Sequence, residues 1–111
     1  MVELIIANND EMALGAIAAL NEAGYNRAGG RVIPVFGIDA TEAAMSRIDS
    51  GFMTGTVKQD AKGMAEAITK IIDNFLKGED KFKEIDSEGV VDGWRVNIPY
   101  SPYTGKNESA K

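Results

Sequence analysis

The feature that most constrains this fold is an alternation. Along the first two thirds of the 111 residues, short apolar runs end in amide or acid side chains and hand over to helices with a buried stripe. "VELIIA" at 2–7 is nearly continuous in apolar residues, as suits a strand covered on both faces. A helix is predicted over 11–23, where Met12, Ala13, Ala16, Ile17, Leu20 and Ala23 recur at helical spacing and Gly24 follows as a stop. "RVIPVFGID" gives a second strand over 32–38, with Pro34 near its start because proline cannot donate to a ladder. Thr41 can cap a helix that runs to 50 on Ala44, Met45 and Ile48, and a third strand follows at 54–58. Asp60 caps the strongest helix, to Leu76, whose Met64, Ile68, Ile71, Ile72 and Phe75 form one stripe expected to be buried. Strands and helices joined by connections of a few residues imply right-handed crossovers and a parallel sheet. Beyond them, "VVDGWRVNIPY" predicts a last strand or hairpin with Asp92-Gly93 as a tight turn, and 104–111 reads as a disordered tail.

Composition removes function classes. With no Cys and no His, thiolate nucleophiles, imidazole bases and the usual zinc ligands are all missing. A formal charge of -5 without a Lys/Arg cluster repels phosphates, so no nucleic acid and no anionic membrane is expected as a partner. No apolar run approaches the length of a membrane span, and Met1-Val2-Glu3 lacks the features of a signal peptide. A start so close to a strand suggests a chain cut into from upstream. Hydrophobic residues at 44% and charged ones at 26% are ordinary for a folded domain.

Ligands of parallel α/β sheets bind beyond the carboxyl ends of the strands. The first strand ends in Asn8-Asn9-Asp10, the second in Asp39, the third in Gln59-Asp60. Planar amides and carboxylates present two hydrogen-bonding atoms each, which suits adjacent hydroxyls of a neutral polyol or sugar. The plain reading of Asp10 and Asp60 is helix capping, and Asn9 divides between bonding its own loop and facing the crevice. Asp39 has less structural reason to exist, because Thr41 is the better cap, and ligand contact is the favoured reading. Trp94 could stack on a sugar ring but reads as a packing residue, and the methionines, at helical spacing, read as core.

"VELIIANNDEMALGAIAAL" together with "IPVFGIDATEAAMSRIDSGFMTGTVKQDAKGMAEAI" resembles the C-terminal portion of the periplasmic glucose/galactose-binding proteins that serve ABC importers and chemoreceptors. "ANNDEMALGA" alone is shared with ribose-binding proteins and lac-repressor-type ligand domains, whereas "VFGIDA" and "GTVKQDA" lean to the glucose/galactose branch. The resemblance implies a three-layer Rossmann-like parallel sheet, the lobe of a type I periplasmic binding protein, here truncated. It implies that Asn9 and Asp39 hydrogen-bond sugar hydroxyls and that Gln59 stands where the family usually has an asparagine. Glu3 matches a glutamate that completes a calcium site in many members. Calcium is expected only in a full-length parent, since it takes about 6–8 oxygens. By the same resemblance 1–59 is the C-terminal-lobe part, 60–103 crosses to the other lobe in intact relatives, and 104–111 is a tail.

The leading expectation is therefore glucose or galactose recognition as part of a solute-binding protein, not an enzyme. In the parent the partners are the ABC importer's membrane subunits and a chemoreceptor. The parent would be periplasmic, or extracellular and lipid-anchored in a Gram-positive source. The alternatives are the effector domain of a lac-repressor-type regulator and a self-assembling fragment with no retained binding. The wide apolar face of the 60–76 helix and the exposed sheet edge predict a homodimer. The resemblance implies weak sugar affinity, because the aromatic residues that sandwich the sugar in intact relatives are missing.

Overall fold

The structure, a computed structural model, describes residues 1–86 and 89–106. The chain separates into two compact units: 1–59 together with 101–106, and Asp60–Tyr100.

The first unit contains β1 (Ile5–Ile6), α1 (Asp10–Glu22), β2 (Val35–Asp39), α2 (Glu42–Asp49), β3 (Gly55–Lys58) and β6 (Ser101–Tyr103). The second contains α3 (Ala61–Leu76), β4 (Val90–Val91) and β5 (Arg95–Val96). The sheet of the first unit runs β1-β2-β3-β6, with the first three strands parallel and β6 antiparallel to β3. This is the mixed α/β architecture with a parallel-dominated sheet that the alternation predicts.

Registers Ile5↔Val35 and Gly37↔Thr56 fix which side chains share a face. Ala7 and Val35 pack with Ala13 and Ile17 of α1, Ala44 and Ile48 of α2, and Met53, so both helices contribute to one core. By strand alternation the opposite face carries Ile6, Phe36, Ile38 and Val57, and Ile6 is 77% exposed. Asn26, which no motif singled out, is wholly buried at φ 49° and staples the α1–β2 connection to the α2–β3 connection. Its Nδ2 donates to the carbonyls of Ile33 (2.8 Å) and Phe52 (2.9 Å), and its Oδ1 accepts from Ile33 N–H (2.8 Å).

β1 is shorter than the apolar run at 2–7, because it lies at the sheet edge and only its centre has a ladder partner. β2 starts after Pro34, whose carbonyl still accepts from Ile5 N–H at 2.9 Å. β6 is the larger surprise. Local pattern assigned no strand to Ser101-Pro102-Tyr103, and a proline is tolerated there because β6 is an edge strand. The part of the expected tail at 104–106 is tied down, whereas 107–111 lies outside the described residues. Tyr103 Oη donates to Asp49 Oδ1 (2.8 Å), Lys106 N–H donates to the same oxygen (3.1 Å), and Lys106 Nζ stands 3.6 Å from Asp49 Oδ2. The Tyr103 hydroxyl foremost, with Lys106, holds the Asp49 carboxyl below its usual range, and the same bond pushes the Tyr103 phenol up.

In the second unit Asp60 caps α3, its Oδ1 accepting from Gly63 N–H at 2.9 Å. Asn74 is buried on α3 and donates to the carbonyls of Lys81 (3.2 Å) and Lys83 (2.8 Å), which folds the following loop back on the helix. Lys70 Nζ meets Glu84 Oε2 at 2.6 Å. Asp92 and Gly93 both take positive φ in the β4–β5 turn, as the Asp-Gly pair predicts.

Three expectations about burial fail. Asn74 is the one buried residue of α3, and its apolar stripe is largely open, with Ile68 59% and Phe75 78% exposed. Trp94 is exposed at the hairpin turn, with the Arg95 guanidinium 5.5 Å from its ring centre, so it is not a packing residue. Of the methionines, Met53 is core but Met12 faces solvent from α1, because helical spacing alone does not say which face meets the sheet.

Candidate functional site

Asn9, Asp39 and Gln59 stand at the carboxyl ends of three neighbouring parallel strands, or in the turns that leave them, and so share one rim of the sheet. Asn9 does take a capping role. Its backbone is extended, and its Oδ1 accepts from Met12 N–H at 2.9 Å, closing the first turn of α1. That bond uses the amide oxygen. The half-buried Asn9 keeps its Nδ2, a donor with no partner among the described residues.

Asp39 is exposed at the last position of β2, paired in register with Lys58. Its carboxylate has no hydrogen-bond or ion-pair partner among the described residues. Thr41 caps α2, its Oγ1 accepting from Ala44 N–H at 3.3 Å, so Asp39 is free of that duty, as the sequence suggests. The backbone here is unusual: Asp39 has φ 125° and Ala40 φ 57°, two successive non-glycine residues in conformations that L-residues avoid. Gln59 follows β3 directly and is half-buried.

Asp10 is the residue whose reading must be corrected. It is not the cap of α1, because Asn9 holds that position. It is the first residue of the helix and wholly buried. Its Oδ2 accepts from Thr41 N–H at 2.8 Å and its Oδ1 from Thr56 Oγ1 at 2.6 Å, while Thr56 Oγ1 accepts from Ala40 N–H at 3.3 Å. Sequence reasoning missed Thr56, a buried hydroxyl in mid-strand. The signal was its place in "GTVKQD", three residues before Gln59, on the side of the sheet that faces α1.

A cleft of about 760 Å³ lies elsewhere, in the second unit, lined among others by Glu66, Ala67, Lys70, Glu84, Val96 and Ile98. None of the three rim residues borders it, and its Lys70 is already paired with Glu84. The rim, where amide and carboxylate side chains stand at the ends of neighbouring strands, is the better candidate. Glu3 is exposed, and no group of three or more Asp, Glu, His or Cys placed to hold a metal ion occurs among the described residues. No helix among the described residues is long and apolar enough to cross a membrane.

In open α/β sheets ligands bind beyond the carboxyl ends of the strands, where the rim side chains stand. Comparison with known proteins gives the family: residues 2–80 match the periplasmic binding protein domain, and the chain belongs to that family of solute-binding proteins. It is 33% identical over 104 residues to the D-galactose/methyl-galactoside binding periplasmic protein MglB of Haemophilus influenzae, covering 94% of this chain and 28% of that one. It is 38% identical to a xylitol-binding protein of Mycolicibacterium smegmatis (71% of this chain, 21% of that one). It is 31% identical to the ribose import binding protein RbsB of Bacillus subtilis (78% and 26%). The chain thus spans less than a third of the length of these relatives. Among solved structures, an ABC transporter solute-binding protein from Burkholderia multivorans superposes with a TM-score of 0.64 at 22% identity, over 92% of this chain and 31% of that one, which shows the shared fold.

Proposed function

We propose that Asn9, Asp39 and Gln59 form part of a monosaccharide site, with glucose or galactose as the ligand, in a non-enzymatic solute-binding protein that serves an ABC importer. The observation that carries this reading is the open Asp39 carboxylate at the end of β2, held on a strained backbone between Asn9 and Gln59. Strained, unpaired polar groups at a sheet rim suit ligand contact better than folding. A charged acceptor there can take hydrogen bonds from two sugar hydroxyls, Asn9 Nδ2 can donate to a third oxygen, and Gln59 can do either. Galactose-type specificity is favoured over ribose or xylitol because the galactose-binding relative aligns over 94% of the chain, against 78% and 71% for the others. The wider roles belong to the longer protein: docking on importer subunits and a chemoreceptor, a periplasmic or lipid-anchored extracellular location, and calcium with Glu3 as one ligand among several.

Titration of the chain with D-galactose, D-glucose and D-ribose, followed by amide NMR, tests the site. Asp39→Asn should weaken galactose binding by about tenfold or more, since charged hydrogen bonds contribute roughly 1.5–3 kcal/mol apiece and 1.4 kcal/mol is a factor of ten. An affinity within about twofold of the parent chain removes Asp39 from the site.

A second reading has its own support. Ile68, Ile72 and Phe75 of α3 are open to solvent, as is Ile6 of the sheet, and such surface in a small protein favours self-association as a homodimer.

A further inference from the structure

We propose that Asp10 and Thr56 are positioning residues of the sugar site: together they hold the turn at 39–41 in its left-handed backbone and thereby aim the Asp39 carboxylate at the ligand. The functional half of this inference rests on the proposed role of Asp39, and its structural half rests on geometry alone.

Asp10 is a carboxylate with no exposed surface and, among the described residues, no cationic partner. Capping does not explain it, because Asn9 already closes the first turn of α1. Nor is its side chain spent on its own helix. Both oxygens reach across to other elements, Oδ2 to the N–H of Thr41 and Oδ1 to the hydroxyl of Thr56. The Thr56 hydroxyl, having donated its hydrogen to Asp10, accepts from Ala40 N–H. The two peptide N–H groups that follow Asp39 are thus both held by one buried pair. Those are the groups whose direction is set by the unusual backbone, φ 125° at Asp39 and 57° at Ala40. Such conformations persist only where the surroundings over-determine them, and here the Asp10–Thr56 pair does so.

Gly37 agrees with this. A Cβ at that position would collide with the Asp10 carboxylate and crowd Met53, so the sheet is left bare where Asp10 leans on it. A buried ionic group is a weak source of net stability compared with well-packed apolar residues of the same volume, so stability alone does not account for the arrangement. What it does achieve is to tie the start of α1, the turn that follows β2 and the body of β3 together through a single side chain.

The test uses the intact chain and four variants, Thr56→Val, Thr56→Ser, Asp10→Asn and Asp39→Asn, with two readouts: the backbone amide shifts and φ-dependent couplings of residues 39–41, and D-galactose titration. Thr56→Val, with the same volume and no hydroxyl, should move the Ala40 and Thr41 amides and weaken galactose binding by about tenfold. Thr56→Ser should restore both. Asp39→Asn should weaken binding while leaving the Ala40 and Thr41 amides in place. If Thr56→Val does not fold, Asp10→Asn answers the same question, because it keeps the volume and removes one acceptor. Folded variants with unmoved Ala40 and Thr41 amides overturn the clamp. Moved amides with unchanged affinity overturn the positioning role. Unchanged affinity in Asp39→Asn sinks the sugar-contact reading instead, and the amides still decide the structural half.

Discussion

Replacing Asn26 by alanine should cost the first unit about 4 kcal/mol, a large share of the roughly 5–15 kcal/mol that holds a small domain together. The magnitude follows from its surroundings. Asn26 is wholly buried and its amide makes three hydrogen bonds at 2.8–2.9 Å to the backbone of Ile33 and Phe52. Each such bond has a net worth of about 1 kcal/mol, and the penalty for a buried group left unpaired is about 1–3 kcal/mol. Ile33 is itself buried, so its N–H and carbonyl would be stranded, whereas the carbonyl of half-buried Phe52 can reach water. A further contribution comes from the backbone. At φ 49° asparagine is tolerated and alanine is not, at a cost of about 1–2 kcal/mol. Asn26→Gly separates the two effects, since it loses the same bonds but relieves the φ, and it should be less damaging than Asn26→Ala by about 1 kcal/mol. Urea denaturation followed by far-ultraviolet circular dichroism measures both. A loss below about 1 kcal/mol for Asn26→Ala, or a glycine variant less stable than the alanine one, would falsify the reasoning.

Docking of β6 through Asp49 and Tyr103 should depend on pH at both extremes. The folded Asp49 pKa is lowered, chiefly by the Tyr103 hydroxyl, so its contribution is present above the ordinary carboxylate value of about 3.9 and is lost as pH falls through the folded value. The Tyr103 pKa is raised by the same bond, so that contribution is present below the ordinary phenol value of about 10 and is lost as pH rises through the folded one. Tyr103 ring resonances that stay put across an acid titration would contradict this. Gln59→Asn shortens a rim side chain by one methylene and should keep sugar binding while shifting the glucose-to-galactose ratio; abolition of binding in the titration would show that the position is matched wrongly. Ile72→Ser with Phe75→Ser should shift the chain from dimer to monomer in light scattering, and an unmodified chain that is already monomeric at micromolar concentration removes the homodimer.

The helices and their caps were legible because their signals are local. Thr41 and Asp60 sit one residue before their helices and bond three residues on, and Asp92-Gly93 makes its own turn. What was not legible depends on partners far along the chain. Of the adjacent Asn9 and Asp10, either could have capped α1, and what decided it was Thr56, 46 residues beyond Asp10. Strand β6 has no pattern of its own and exists because β3 offers it an edge. The stripe on α3 shows the reverse: a correct periodicity marks a face that would be buried if covered, and says nothing of whether a cover is present. At the rim, the positions of Asn9, Asp39 and Gln59 followed from the strand order, but the twisted backbone beneath Asp39 did not.

The antiparallel pairing of β6 with β3 sets an order on folding. Residues 1–58 can build three parallel strands through two crossovers, each spanning a single helix. The rung Lys58↔Ser101 forms only after the chain has completed the whole of Asp60–Tyr100 and returned. That closure is the longest in the sheet and carries the greatest loss of chain freedom, for a ladder of three residue pairs. During synthesis β3 therefore emerges as an open edge, and it stays one until the last residues of the sheet arrive to cap it.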